Sequence, residues 1–297
     1  MTERILDISE APARLKVHLG RLHITQGEEE PITLPMEDVA VLMVAHYQVS
    51  YTQAVLSGLM EVGGAFICCN ANRLPTGLML PLVGHHIQTR RIALQAEASK
   101  PTRKRIWQQL IQAKIEGQSQ VLHALQGDDL GLGLMAQRVK SGDPENLEAQ
   151  AARKYWRPLF QDEGFRRDQE AEGINGLLNY GYGVLRAIIG RAVCATGLHP
   201  SLGIHHKNLY NPYCLVDDLM EPYRPIVDAS VARYVQQDSG VEVDKAFKGE
   251  VIGTLMKRYR LDGEERTLFD CAQRTAHSIV GMMEGTQQGI SLPSLIS

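Results

Sequence analysis

The stretch Arg105–Leu125, RIWQQLIQAKIEGQSQVLHAL, decides the fold. Ile106, Leu110, Ala113, Gly117 and Val121 recur at steps of three and four, the spacing that lays one apolar stripe along an α-helix. From about Leu94 onward the same spacing persists in GLLNYGYGVLRAIIGRAVCATG and GTLMKRYRLDGEERTLFDCAQRTAHSIVGMM, with Gly197 and Gly281 as helix ends or close packing points. Upstream the period falls to two. RLKVHLGRLHITQG sets Leu15, Val17 and Leu19 on one face, turns at a glycine and resumes with Leu22 and Ile24, as a β-hairpin does. PMEDVAVLMV and GGAFICCN read as buried strands, and SYTQAVLSGLMEVG between them has helical spacing at Val55, Leu59 and Val62. Pro75, Gly77, Pro81 and Gly84 then break regular structure, which puts a boundary near residues 85–98. The expected class is α+β: a small β-rich N-terminal domain over residues 1–90, then a larger all-helical C-terminal domain over 91–297.

Composition narrows the function. At 297 residues the chain exceeds the usual size of a single core, and 44% hydrophobic with 22% charged residues is the balance of a folded protein. A formal charge of -3 excludes coating nucleic acid by bulk charge, so any polyanion site must be local. The five cysteines, Cys68, Cys69, Cys194, Cys214 and Cys271, are odd in number and form no C-x-x-C, which argues against a disulfide framework or a thiolate zinc site. MTERILDISEAPARLKV lacks the basic-then-apolar layout of a signal peptide, and a cytoplasmic protein is expected. The G-x-G in GDDLGLGLM has neither the strand nor the downstream acid of a dinucleotide site, and Asp128 and Asp129 read as turn caps. His85 and His86 have no acids beside them and read as a loop or interface pair, while Trp156, Tyr180 and Tyr182 read as core or interface aromatics.

Chemistry concentrates in GIHHKNLYNPYCLVDDLMEP, residues 203–222. If NPYCLVDDLME is a short helix, Glu221 neighbours both Asp217 and Asp218, and such like-charge spacing is unfavourable unless a cation sits among them. Leu215 and Leu219 would anchor that helix, and Pro222 would end or kink it. In SGDPENLEAQAARKYWRP, Asp143 is placed as an N-cap with Pro144 as the first helical residue, while Glu148 shares a stripe with Ala152 and Tyr155. By itself Glu148 reads first as half of a surface ion pair with Lys or Arg, as most helical glutamates are solvated. One imidazole with carboxylate oxygens suits Mg2+ or Mn2+ better than structural zinc, and the chemistry of such a set is phosphoryl transfer.

ENLEAQAARKYW, INGLLNYGYGVLRAIIGRAV, GLHPSLGIHH and DDLMEPYRPIVD, in this order, resemble the CRISPR-associated spacer-acquisition integrases, the larger subunit of the adaptation complex. PMEDVAVLMV, LPTGLMLPLVGHH and KRIWQQLIQAKI extend the resemblance over nearly the whole chain, and GIHH with MEPYRPIVD most resembles the branch beside type II, RNA-guided effector systems. The resemblance implies a metal-dependent DNA endonuclease and integrase, a β-rich N-terminal domain that serves dimerisation and partner contacts, and a homodimer assembled around a small ferredoxin-like second protein. Its other implied partners are double-stranded DNA, as spacer precursor and as repeat, and the RNA-guided effector. By position it implies Glu148, His206 and Glu221 as catalytic metal ligands for Mg2+ or Mn2+, with His205 and Asp218 auxiliary; many relatives carry aspartate where Glu221 stands. The implied reaction is attack of a DNA 3'-hydroxyl on a phosphodiester of the CRISPR repeat.

A DNA path calls for basic residues. Arg90, Arg91, Lys100, Arg103, Lys104 and Arg105 cluster near the boundary, and Arg153, Lys154, Arg157, Arg166 and Arg167 follow Glu148. Each cluster reads equally as a solvated helix face. Two other functions share these residues: a DNA-binding scaffold without catalysis, and a general nuclease for branched DNA.

Overall fold

The computed structural model describes residues 3–237 and 240–294. The N-terminal part begins with β1 (Arg4–Ile8), the hairpin of β2 (Arg14–His18) and β3 (Arg21–Thr25), and β4 (Ile32–Pro35). A 3-10 turn at Met36–Asp38 leads into β5 (Val39–Val44), then β6 (Ser50–Tyr51), α1 (Gln53–Glu61), β7 (Ala65–Cys69) and β8 (Pro75–Met79). One sheet has the order β1-β5-β7-β8, parallel except for the last pair, and a second has the order β4-β3-β2-β6.

The period-two reading explains the first sheet. Leu42 and Phe66 face one core with Leu15, Leu22, Ile24 and α1, while Val41, Met43, Ala65 and Ile67, on the opposite face, belong to the core of the helical part. One sheet is thus a wall shared by two cores. The hairpin expectation holds with one correction. Leu15 is fully buried, but Leu19 sits in the turn at φ 49°, followed by Gly20 at φ 71°, and is 85% exposed. Two successive positive φ values are what a tight hairpin turn needs, so the turn claims Leu19 and the apolar face ends before it.

Then follow α2 (Gln88–Glu97), α3 (Lys100–Gln126), α4 (Leu132–Arg138), α5 (Leu147–Phe160), α6 (Ile174–Ala195), α7 (Cys214–Met220), α8 (Arg224–Gln236) and α9 (Lys245–Leu255), then β9 (Arg258–Leu261) and β10 (Glu264–Thr267), before α10 (Leu268–Glu284) closes the part. Helix α3 starts where Ser99 accepts a hydrogen bond from the Thr102 amide and stops at left-handed Gly127. Ile106, Leu110, Gly117 and Val121 are buried as the stripe requires and Ala113 is half-buried; Trp107, Ile111, Ile115, Gln118 and Leu122 are buried as well. Helix α3 thus buries a broad face and keeps a polar one, whereas α6 runs through the interior, buried on most sides.

The expectation of an all-helical C-terminal domain is corrected by β9 and β10, an antiparallel pair joined at Asp262 (φ 52°) and Gly263 (φ 83°). An Asp-Gly turn between short alternating runs is a hairpin signal that the surrounding helical spacing masked. No described helix is long and apolar enough to cross a membrane.

The two parts are also tied by polar contacts. The Tyr180 hydroxyl donates to Asp7 (2.6 Å), the Lys248 ammonium to Ser9 (2.6 Å) and Glu10 (2.7 Å), and Arg191 pairs with Glu3 (2.7 Å).

Candidate metal centre

Three elements deliver the central residues. Glu148 lies in the first turn of α5, whose start differs from the expected one. Pro144 stays outside the helix, positive φ at Asp143 (46°) and Asn146 (52°) folds the chain back, and helix residues begin at Leu147. Asp143 still caps, its carboxylate accepting from the amides of Leu147 (2.9 Å) and Glu148 (3.0 Å). Glu221 follows α7, at the start of a 3-10 turn, Glu221–Tyr223, that precedes α8. Pro222 cannot continue the hydrogen-bond ladder, and the α-helix gives way there to the 3-10 turn, as expected of a helix end. Lys114, from the middle of α3, meets both acids.

The Lys114 Nζ lies 2.6 Å from Glu148 Oε1 and 2.5 Å from Glu221 Oε2. Its side chain is 12% exposed, that of Glu148 26% and that of Glu221 6%. Glu221 Oε1 accepts from Arg224 Nε at 2.9 Å. Burial alone would raise the Glu221 pKa, but Arg224 and Lys114 outweigh it and hold the carboxyl down at about 2. Burial likewise disfavours the Lys114 charge, and Glu221 and Glu148 reverse the effect, so the ammonium titrates above the ordinary lysine value. Glu221 Oε2 is neutralised by the lysine without a hydrogen bond of proper alignment, which leaves a buried oxygen with an unused lone pair.

The adjacent histidines are separated by Asp218, which is fully buried. Its carboxylate accepts from the amides of Ile204 (2.6 Å), His205 (2.9 Å) and His206 (3.2 Å) and contacts His206 Nδ1 at 2.5 Å. Gly203 makes the loop possible, since a Cβ there would lie 2.3 Å from the His206 carbonyl oxygen. The Asp218 bond, ahead of the opposing effect of burial, raises the His206 pKa, and the fields of Glu221 and Glu148 add to it. His206 is therefore the imidazole near both glutamates, with Nδ1 engaged and Nε2 the nitrogen left to donate a lone pair. His205 instead stacks on Trp107, ring centroids 4.1 Å apart and planes 6° from parallel. Asp217 takes no part, since Arg186 (2.7 Å) and Asn211 (2.7 Å) hold its carboxylate. The three acids crowded in sequence thus have three separate sets of partners.

Three residues that the sequence did not single out, Lys114, Arg224 and Asp228, complete the surroundings, with Tyr155 and Tyr182 in a new role. Asp228 is buried and accepts from the hydroxyls of Tyr155 (3.1 Å) and Tyr182. The guanidiniums of Arg224 and Arg167 lie over the Tyr182 ring, 4.7 and 5.4 Å from its centroid. Both arginines, with Arg186, Asn179 and Tyr213, line a cleft of about 310 Å³ that suits an anionic ligand. The available signal for Lys114 was its place on the buried side of α3 between Leu110, Ile111 and Ile115, where an uncompensated lysine is untenable.

The basic residues divide. Arg90, Lys104, Arg105, Arg153, Lys154, Arg157 and Arg166 are exposed. Arg91 donates to the Thr196 carbonyl, Arg103 to those of Gln95 and Ala96, and Arg167 to Asn175 and Asn179, so these three also brace the fold. Among the described residues, no three His, Cys, Asp or Glu side chains are already drawn together tightly enough to hold a metal ion.

The profile of the family "CRISPR associated protein Cas1" matches residues 6–260. The CRISPR-associated endonuclease Cas1 of Neisseria meningitidis serogroup C (strain 8013) is 33% identical over 301 residues, spanning 100% of this chain and 97% of the relative. A second relative, CRISPR-associated endonuclease Cas1 2 of Pyrobaculum aerophilum, is 27% identical over 76% of this chain and 80% of its own length. Among solved structures, a casposase bound to integration product superposes with a TM-score of 0.81 at 22% identity, over 97% of this chain and 92% of that one. A Cas1 protein from Thermotoga maritima does so with a TM-score of 0.76 at 16% identity, over 97% and 98%. Those two likenesses concern the fold alone; the profile match and the full-length relative concern descent, and by them the chain belongs to the Cas1 family of CRISPR-associated proteins.

Proposed function

We propose that this protein is a metal-dependent DNA endonuclease and integrase that inserts short spacers into a CRISPR repeat array, with Glu148, His206 and Glu221 as ligands of Mg2+ or Mn2+. The observation that carries the reading is that residues 148 and 221, remote in sequence, meet at one cationic nitrogen. The donors fit the cation: carboxylate oxygens and one imidazole nitrogen, with Glu221 Oε2 buried and lacking an aligned hydrogen bond. Once bound, a divalent cation would polarise a phosphodiester oxygen and activate a hydroxyl nucleophile.

The chain's own residues do the rest. Asp218 fixes the His206 tautomer and direction, and Arg224 keeps Glu221 ionised. Arg167, Arg186 and Arg224 offer guanidinium donors to phosphate oxygens in the adjoining cleft, and the exposed basic residues extend the DNA path. The region 1–90 is assigned to dimerisation and partner contacts, and 91–297 to catalysis. The relatives support the reading: those of Neisseria and Pyrobaculum are named endonucleases, and the casposase structure holds an integration product. A further structural likeness, a Cas6-RT-Cas1–Cas2 complex, supports a small second adaptation protein as partner. The assignment to a type II system, with an RNA-guided effector nearby, rests on the GIHH and MEPYRPIVD segments.

Strand transfer of a short duplex into a repeat-bearing plasmid with Mn2+ tests the assignment. Glu148→Gln and His206→Ala are expected to lose it, and full activity in either refutes the ligand set. Equal DNA binding with no strand transfer in the unmodified protein would favour a scaffold. Cleavage of forked DNA far outrunning integration would favour a repair nuclease.

A further inference from the structure

We propose that Lys114 is a built-in counterion which a divalent cation must displace, so that metal binding exchanges a lysine charge for a metal charge. The inference rests on the metal reading above and adds the group that competes with the metal. Glu148 and Glu221 reach Lys114 from different helical segments and present one oxygen each to the same nitrogen. Without a cation, two carboxylates so placed in a partly desolvated site would repel, and one would have to take up a proton or turn away. Lys114 removes that conflict. These are its only ion pairs among the described residues.

The geometry also permits the exchange. Lys114 lies mid-helix in α3, so its backbone stays fixed while a flexible four-carbon stem swings the ammonium out; a planar guanidinium anchored by several bonds would leave less readily. Arg224 remains on Glu221 Oε1, so departure of the lysine frees Oε2 without stripping the carboxylate of charge compensation. The oxygen that gives Lys114 charge contact without an aligned hydrogen bond is the one that the cation would take.

The test compares the full-length protein with Lys114→Met by thermal unfolding and by calorimetric Mn2+ titration, with no DNA present. In metal-free buffer K114M is expected to melt below the unmodified protein, and to bind Mn2+ about tenfold more tightly, because the competitor is gone. Its rise in melting temperature on adding Mn2+ should accordingly be the larger of the two. The double variant K114M/E148Q should regain metal-free stability and lose the Mn2+ response, which a merely space-filling lysine would not produce. Should K114M fail to fold without metal, recovery on refolding in Mn2+ supports the exchange, and no recovery while K114M/E148Q folds overturns it. If the unmodified protein binds Mn2+ and K114M binds it no more tightly, the exchange is refuted and the metal site stands. If neither binds Mn2+, the metal reading falls and takes the proposal with it.

Discussion

Glu221 and Asp228 follow one another within two turns of the same helical run, are 4% and 1% exposed, and have pKa values shifted in opposite directions. Glu221 is met by Lys114 and Arg224 and held ionised, its pKa at about 2. Asp228 is met by two phenols, and burial wins over their hydrogen bonds and over the more distant Arg224, pushing its pKa up to about 6. The two phenols in turn are driven far above the usual tyrosine range by burial and by Asp228, so they remain donors. Neutral donors satisfy the lone pairs of a buried carboxylate but do not offset the cost of desolvating its charge. Close cations offset that cost at Glu221.

The harshest way to break the contrast is Glu221→Ala, which leaves Lys114 and Arg224 buried without their shared acid. A loss of about 3 to 5 kcal/mol is expected in chemical denaturation at pH 7. The next largest effect sharpens it. The Asp228 folded-state pKa lies above the ordinary 3.8, so the unfolded chain releases this proton first and the group makes stability fall as pH rises from about 4 to about 6. Glu221 has the opposite sign: its contribution is full above the ordinary 4.5 and is lost as pH falls toward about 2. Asp228→Asn should therefore gain about 3 kcal/mol on the unmodified protein between pH 4 and pH 7, read as a change in their stability difference. Equal differences at the two pH values would contradict the neutral-donor account.

Tyr155→Phe removes one donor from Asp228. It should cost about 1 kcal/mol at pH 7 and move the inflection of the stability profile upward. The smallest effect is expected from His205→Ala, outside both carboxylate sites. Losing the Trp107 stack should cost about 0.5 to 1.5 kcal/mol in chemical denaturation at pH 7, whereas a markedly larger loss would draw His205 into the centre.

What could be read from the residues follows the range of the forces involved. The α3 stripe, the first hairpin and the helix end at Pro222 are set by neighbours a few positions apart, so period and turn chemistry revealed them. Leu19 misled because a hairpin turn overrides the apolar alternation of its strand. Asp143 was expected as the N-cap, a position that Asn146 takes; its carboxylate still accepts from the first helical amides, from beyond a turn that positive φ values create. The hairpin β9–β10 was lost because its strands are four residues each and lie between helices. At the centre, Glu148, the histidine pair and Glu221 stood out through the motifs that carry them. Lys114 did not, because its partners lie on other elements, 34 and 107 positions away, and no local pattern encodes such an encounter. The preference for His206 over His205 came from the resemblance alone; the Trp107 stack on one ring and the Asp218 contact of the other are long-range features that no local pattern encodes.

The clasps between β1 and the far end of the chain carry a consequence for biosynthesis. Asp7 waits for Tyr180, Ser9 and Glu10 wait for Lys248, and Glu3 for Thr267, which donates to it at 3.0 Å. A nascent polypeptide emerging from the ribosome can close the first hairpin at once and pair β1 with β5 soon after, yet these polar latches stay open until most of the remaining residues have been translated.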